Sequence, residues 1–170
     1  HNYPLKGGKG MMSEGGIRVP LIVRWPEAIA PGQVNQTPVH TLDFYPTLLA
    51  AAGVDGRNAQ AAHLPPQELE GRDLAPLWMQ RDEDFEGPSP RWNERALYVH
   101  MPGYLGARGG TWRATPAGAI RRGRWKLIEP FDGKPIELYD LLADPSESTN
   151  LADSEPEQRD ALLQELQAWR

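Results

Sequence analysis

The chain contains no cysteine. Disulfides, thiolate metal sites and cysteine nucleophiles are therefore excluded for these residues. No apolar run approaches the ~20 residues that a helix needs to span a bilayer, so no membrane role is expected. Positive charge is in the minority: 18 Lys and Arg against 23 Asp and Glu give a formal net charge of -5. That balance disfavours a global role on nucleic acid or on an anionic membrane surface, although Arg121-Arg122 and Arg124 form a local basic cluster. The opening His1-Asn2-Tyr3-Pro4 has neither an initiator Met nor a charged-then-apolar leader, and reads as a cut into a longer protein.

Gly and Pro are plentiful, 17 of each in 170 residues, which suits short elements joined by many turns. With 39% hydrophobic residues the chain can still build a core. Residues 1–16 form a glycine-rich segment carrying Lys6, Lys9 and Glu14. The nearly continuous apolar stretch Val19 to Val23 predicts a strand covered on both faces, limited by Pro20 and Pro26. Thr41 is the expected N-cap of a helix from about Leu42 to Ala52, with Leu42, Tyr45, Leu49 and Ala52 at helical spacing and Gly53 as the stop. Asp73 is expected to cap a short helix ending near Trp78. The acidic, proline-bearing residues 81–91 read as a linker.

The second half changes character. Ala96-Leu97-Tyr98-Val99, Ala119 to Arg122, Trp125 to Glu129 and Ile136 to Tyr139 are strand candidates. A long Gly- and Arg-rich loop from Pro102 to about Ala117 follows the first of them. Turns at Arg122-Gly123 and Asp132-Gly133 separate the others, the pattern of an antiparallel meander. Ser154 and Glu157 have capping-box spacing before a closing helix whose apolar stripe is Leu162, Leu163, Leu166 and Trp169.

Candidate chemistry centres on Lys9 in Gly7-Gly8-Lys9-Gly10. Flanking glycines let the backbone turn sharply and approach a ligand closely, and one ammonium held there suits an anion such as sulfate or phosphate. The residues alone leave open a flexible loop with a solvated lysine, and the spacing is not that of a Walker A loop. Lys6 is expected to be solvated. Glu14 and Arg18 are expected to hold the segment against the following strand. His40 and His63 have no partner at metal-ligand spacing and read as surface or capping residues, and Trp125 and Trp169 as core aromatics.

An ordered series of motifs runs along the chain: Pro4-Leu5-Lys6-Gly7-Gly8-Lys9-Gly10, Glu14-Gly15-Gly16-Ile17-Arg18-Val19-Pro20, Thr41-Leu42-Asp43-Phe44-Tyr45-Pro46, Leu69-Glu70-Gly71-Arg72-Asp73-Leu74, Trp125-Lys126-Leu127-Ile128, Glu137-Leu138-Tyr139-Asp140-Leu141, Asp144-Pro145 and Asn150-Leu151-Ala152. In order and spacing this series resembles the C-terminal part of the type I, formylglycine-dependent sulfatases, members of the alkaline-phosphatase-like superfamily. The resemblance implies an α/β fold: the end of an alkaline-phosphatase-like α/β domain over residues 1–80, the linker 81–91, and a small antiparallel sheet of about four strands with a C-terminal helix over 92–170. It implies that Lys9 contacts the sulfate of a sulfate monoester, with sulfated carbohydrate the expected substrate class.

Relatives of this kind have a histidine at the position of His100, where it would serve the leaving-group side. The residues alone leave open a partly buried histidine satisfied by backbone. Tyr104 and Arg108, in the loop beyond, are candidates for the substrate entrance or for solvated positions. The family's Cys/Ser-x-Pro-x-Arg signature is absent, and its calcium ligands are expected upstream of this chain. No metal site is therefore expected here, and the fragment should be inactive alone. Periplasmic or secreted placement follows from the resemblance, and an exposed sheet edge would permit self-association. A phosphonate or phosphate monoester hydrolase of the same superfamily and a non-catalytic glycan-binding module are the alternatives.

Overall fold

A computed structural model describes residues 2–54, 69–79, 92, 94–108 and 111–170, leaving aside the side chains of 107, 108 and 111–113. The expected linker 81–91 and His63 also lie outside the described residues. Two compact units are present, one of residues 1–21 with 94–170 and the other of residues 22–93. The boundaries expected from the sequence group residues 1–21 with residues 22–80. Packing groups them with the C-terminal sheet, because Met12 lies in that sheet's core and Glu14 is buried on it.

The first unit begins with a short helix, α1 (Glu14–Ile17). Its sheet contains β1 (Ala96–Met101), β4 (Ala117–Arg122), β5 (Trp125–Pro130) and β6 (Glu137–Asp140) in the antiparallel order β1-β4-β5-β6. This is the expected meander. Gly123 and Gly133 take the positive φ, 59° and 81°, that its turns require. Residues 102–117, expected as loop, instead contain a separate hairpin of β2 (Leu105–Arg108) and β3 (Thr111–Ala114). Gly106, Arg108 and the Gly109-Gly110 pair dilute the alternation that would have marked these strands.

The period of two gives the sheet two distinct faces. Ala96, Tyr98, Ile120, Leu127 and Leu138 pack under Leu162 and Leu166 of the closing helix α4 (Pro156–Trp169). Val99, Met101, Ala117, Ala119, Ile128 and Tyr139 face the other way and are joined there by Met12. The expected Ser154–Glu157 capping box does not form. Ser154 Oγ donates to the Leu151 carbonyl at 3.2 Å, and the helix starts at Pro156 with Glu155 in the cap position, so Ser154 lies one residue too early. Trp169 stacks flat on Tyr98, ring centroids 4.7 Å apart, while one side of it stays exposed.

The strand expected at Val19 to Val23 does not form. No described residue pairs with it, and Val19 and Ile22 are 75% and 89% exposed. Apolar composition alone makes no strand without a partner for its backbone.

In the second unit a 3-10 turn (Thr41–Asp43) leads into α2 (Phe44–Ala51), and Gly53 follows at φ 72°. The cap is His40 rather than Thr41. Its imidazole accepts from the Leu42 N–H at 3.2 Å, while Asp43 accepts from the His40 N–H at 2.7 Å. Asp43 also accepts from the Arg72 N–H at 2.8 Å, and a Cβ on Gly71 would lie 2.1 Å from the Leu42 carbonyl. The third helix, α3 (Ala75–Trp78), starts as expected with Asp73 accepting from the Ala75 N–H at 2.9 Å. Leu74, Leu77 and Trp92 form this unit's core, whereas Leu42 in the 3-10 turn and Tyr45 and Leu48 on α2 are exposed.

Replacing Leu166, 1% exposed, by alanine should cost about 2–5 kcal/mol. Replacing Leu48, 66% exposed, should cost no more than about 0.5 kcal/mol. Urea denaturation of the two variants checks this, and equal losses would show that α4 does not close the core as described.

Candidate functional site

The glycine segment is a folded loop. The Met11 N–H donates to the Gly8 carbonyl at 3.0 Å, and the Gly15 N–H to the Lys6 carbonyl at 2.8 Å. Asn2 Nδ2 donates to the Gly15 carbonyl. Two glycines are required by close approach: a Cβ on Gly15 would lie 2.4 Å from the Lys6 carbonyl oxygen, and one on Gly16 would lie 2.0 Å from that of Met11. Gly7 and Gly10 sit at φ 74° and 89°, on either side of the Gly8-Lys9 pair. The loop therefore lies folded back on α1, and Lys9 stands exposed at its crest.

A Cβ on Gly10 would collide with the Leu105 side chain at 2.2 Å, so Lys9 and Tyr104 each stand one residue from this contact. Tyr104 is 54% exposed. Arg108 closes β2, and its side chain lies outside the described residues. His100 belongs elsewhere on the sheet. It pairs with Gly118, whose Cβ position faces Leu166 and Phe131, and its own ring packs 5.4 Å from the Phe131 centroid. Strand alternation thus sets His100 on the α4 side, opposite the face that carries Met12.

Lys6 is not simply solvated. Its Nζ donates to Tyr139 Oη at 2.9 Å and to Glu137 Oε2 at 3.3 Å. Burial works to lower the Lys6 pKa, but these partners outweigh it and the pKa rises. Burial and the hydrogen bond to Glu137 push the Tyr139 phenol up to about 12.

Beneath the loop lies a buried charged cluster. Lys126 Nζ is 2.9 Å from Glu14 Oε1 and 2.8 Å from Glu147 Oε1, and none of these side chains is more than 2% exposed. The Glu14 N–H donates to Glu147 Oε2 at 2.6 Å. Arg121 approaches Glu14 Oε2 at 3.5 Å and Arg18 at 3.9 Å. Glu14 therefore holds the segment as expected, but against β5 rather than against residues 19–23. Sequence reasoning missed Lys126 and Glu147. Lys126 carried a signal, because it sits two residues before Ile128 on an inward face, where a buried lysine demands a carboxylate. Glu147 carried none.

Glu147 itself adopts φ 53°. The turn that presents it is clamped by Asp144, whose carboxylate accepts from Ser146 Oγ at 2.7 Å, the Ser148 N–H at 2.7 Å and the Thr149 N–H at 2.9 Å. Burial alone would raise the Asp144 pKa, but these donors outweigh it and hold the pKa at about 2. Among the described residues no group of three or more His, Asp or Glu side chains is placed to hold a metal ion.

Comparison with known proteins gives a consistent answer. Residues 7–169 match the family described as N-sulphoglucosamine sulphohydrolase, C-terminal. The chain is 35% identical to a sulfatase of Formosa agariphila over 99% of its own length and 30% of the relative's. It is 33% identical to human arylsulfatase A over 94% of its length and 32% of the relative's. Among solved structures it resembles Ps i-CgsB in complex with k-i-k-neocarrahexaose, with a TM-score of 0.73 and 28% identity over 99% of this chain and 32% of that one. It also resembles BT4656 in complex with its substrate D-glucosamine-2-N,6-O-disulfate, with a TM-score of 0.62 and 26% identity over 86% of this chain and 27% of that one. The chain spans about a third of the length of these relatives.

A carboxylate whose pKa is depressed on folding stabilises the fold above its unfolded value and loses that contribution as pH falls toward its folded value. For Asp144 the window runs from the ordinary value of 3.8 down to about 2. Thermal melting across that window should show the wild type losing stability. Asp144→Asn should melt lower at neutral pH and show a flatter acid slope. An unchanged slope in the variant would show that Asp144 does not clamp the turn.

Proposed function

The chain belongs to the N-sulphoglucosamine sulphohydrolase C-terminal family, and on that premise we propose that it is the C-terminal part of a sulfatase whose sulfate contact is Lys9. The complete protein would hydrolyse sulfate monoesters, most simply those of a sulfated carbohydrate. Support for the substrate class comes from the resemblance to BT4656, which was solved with a disulfated glucosamine.

One observation carries the role of Lys9: an exposed ammonium at the crest of a loop whose backbone is locked by Gly15, Gly16 and their carbonyl contacts. A lysine whose backbone is held before substrate arrives needs less reorganisation to meet the sulfate oxygens. It also stabilises charge that moves onto the leaving oxygen in the transition state. Tyr104 stands one residue from the Gly10–Leu105 contact, and we assign it and Arg108 to the substrate entrance. The leaving-group role of His100 rests on the family resemblance.

The formylglycine nucleophile and the calcium ion that the resemblance implies would be supplied from outside these residues. The fragment alone is then inactive. No helix among the described residues is long and apolar enough to cross a membrane, and periplasmic or secreted placement is proposed from the family.

Turnover by the complete protein tests the reading. Sulfate monoesters should be preferred over phosphate and phosphonate monoesters, and Lys9→Ala should lower kcat/KM by about a hundredfold. Because Lys9 is exposed, the melting temperature should not move. Preference for the phosphorus esters, or full activity in Lys9→Ala, would refute it.

A further inference from the structure

The buried cluster beneath the loop has no part in the chemistry just proposed. Burying one ammonium between two carboxylates is costly in desolvation, and apolar residues of similar volume would commonly hold two segments together at least as well. Such apolar contacts slide; a three-way ionic contact with one geometry does not. The backbone around it points the same way. Glu147 occupies the left-handed region at φ 53°, which residues with a side chain seldom adopt. The turn that imposes this conformation is tied down by Asp144 on both Ser146 and Ser148.

The cluster joins three distant stretches: α1 through Glu14, β5 through Lys126, and the turn after β6 through Glu147. Glu14 is gripped by its carboxylate on Lys126, with Arg121 3.5 Å from its other oxygen, and by its own N–H on Glu147. Its neighbours Gly15 and Gly16 are in turn the surface on which the Lys6–Met11 backbone rests. A displacement of Glu14 therefore displaces the loop, and Lys9 with it.

We infer that Lys126, with Glu14 and Glu147, is a positioning device that fixes the Lys9 loop on the C-terminal sheet. Lys126 touches no substrate and acts through Glu14. The inference rests on the reading of Lys9 for its catalytic consequence, but not for its structural one.

Two measurements on the complete protein separate these. In Lys126→Met, hydrogen exchange at the amides of Glu14 and Gly15 should quicken by about a hundredfold or more, the low end for breaking a buried ion pair, while amides of β4 and β5 keep their protection. Uniform loss over the whole sheet, or no loss at the loop, would overturn the positioning role. Glu147→Gln keeps an acceptor for the Glu14 N–H and should give a smaller loss confined to the same amides. It thus keeps the test open if Lys126→Met fails to fold.

In turnover, Lys126→Met should lower kcat/KM. The double variant Lys9→Ala/Lys126→Met should stay within about twofold of Lys9→Ala alone, because residues acting through one group are not additive. Multiplying losses would overturn the proposal that Lys126 works through Lys9. Should Lys9→Ala prove fully active, the sulfate reading fails, and the exchange result still decides the positioning role.

Discussion

Lys126, Glu14 and Glu147 are each buried to 2% exposure or less, and the arrangement of the first unit depends on their meeting. A lysine at that depth is tolerated only with its charge matched and its donors engaged. That requirement fixes where α1 can sit on β5 and which way the turn after β6 must point. Met12, two residues before Glu14, then enters the apolar cluster of the same sheet face. Polar specificity and apolar burial reinforce each other here. The ionic contact selects the register, and Met12 adds the hydrophobic gain.

The same sheet serves two purposes because its faces are independent. The α4 side is an ordinary apolar core of Ile120, Leu127, Leu138, Leu162 and Leu166. The other side carries the charged cluster, the Lys6–Tyr139–Glu137 contacts and the glycine loop. The first face closes the core under α4, while the second orients the loop from which Lys9 projects. His100, on the α4 side at the end of β1, is set apart from that loop by strand alternation.

Much of the architecture was legible where local rules suffice. Period-two alternation and turn glycines marked β1, β4, β5 and β6, and Asp73 marked the start of α3. Failures arose where a partner decides the outcome. Val19 to Val23 has strand composition but no described strand to bond, and β2 and β3 pair despite glycines that hide their pattern. His40 displaced Thr41 as a cap because Asp43 could close a reciprocal box with it. The site was half legible. Lys9 stood out by its glycines, whereas the contacts that hold it come from Lys126 and Glu147, more than a hundred residues away. The motif residues Asp43, Gly71, Lys126, Tyr139, Asp144 and Asn150 look like family signatures in the sequence. In the structure they are buried, clamped or closely approached groups, with Asn150 accepting from the Leu138 and Ala152 amides.

On the proposed reading a buried ionic contact holds the glycine loop so that Lys9 meets sulfate. A crystal structure of the complete protein with an unreactive sulfate ester tests it most directly. Lys9 Nζ should then lie within hydrogen-bond distance of a sulfate oxygen, with Glu14, Lys126 and Glu147 still joined below. An ester bound with Lys9 turned to solvent, or with Glu14 released from Lys126, would contradict it.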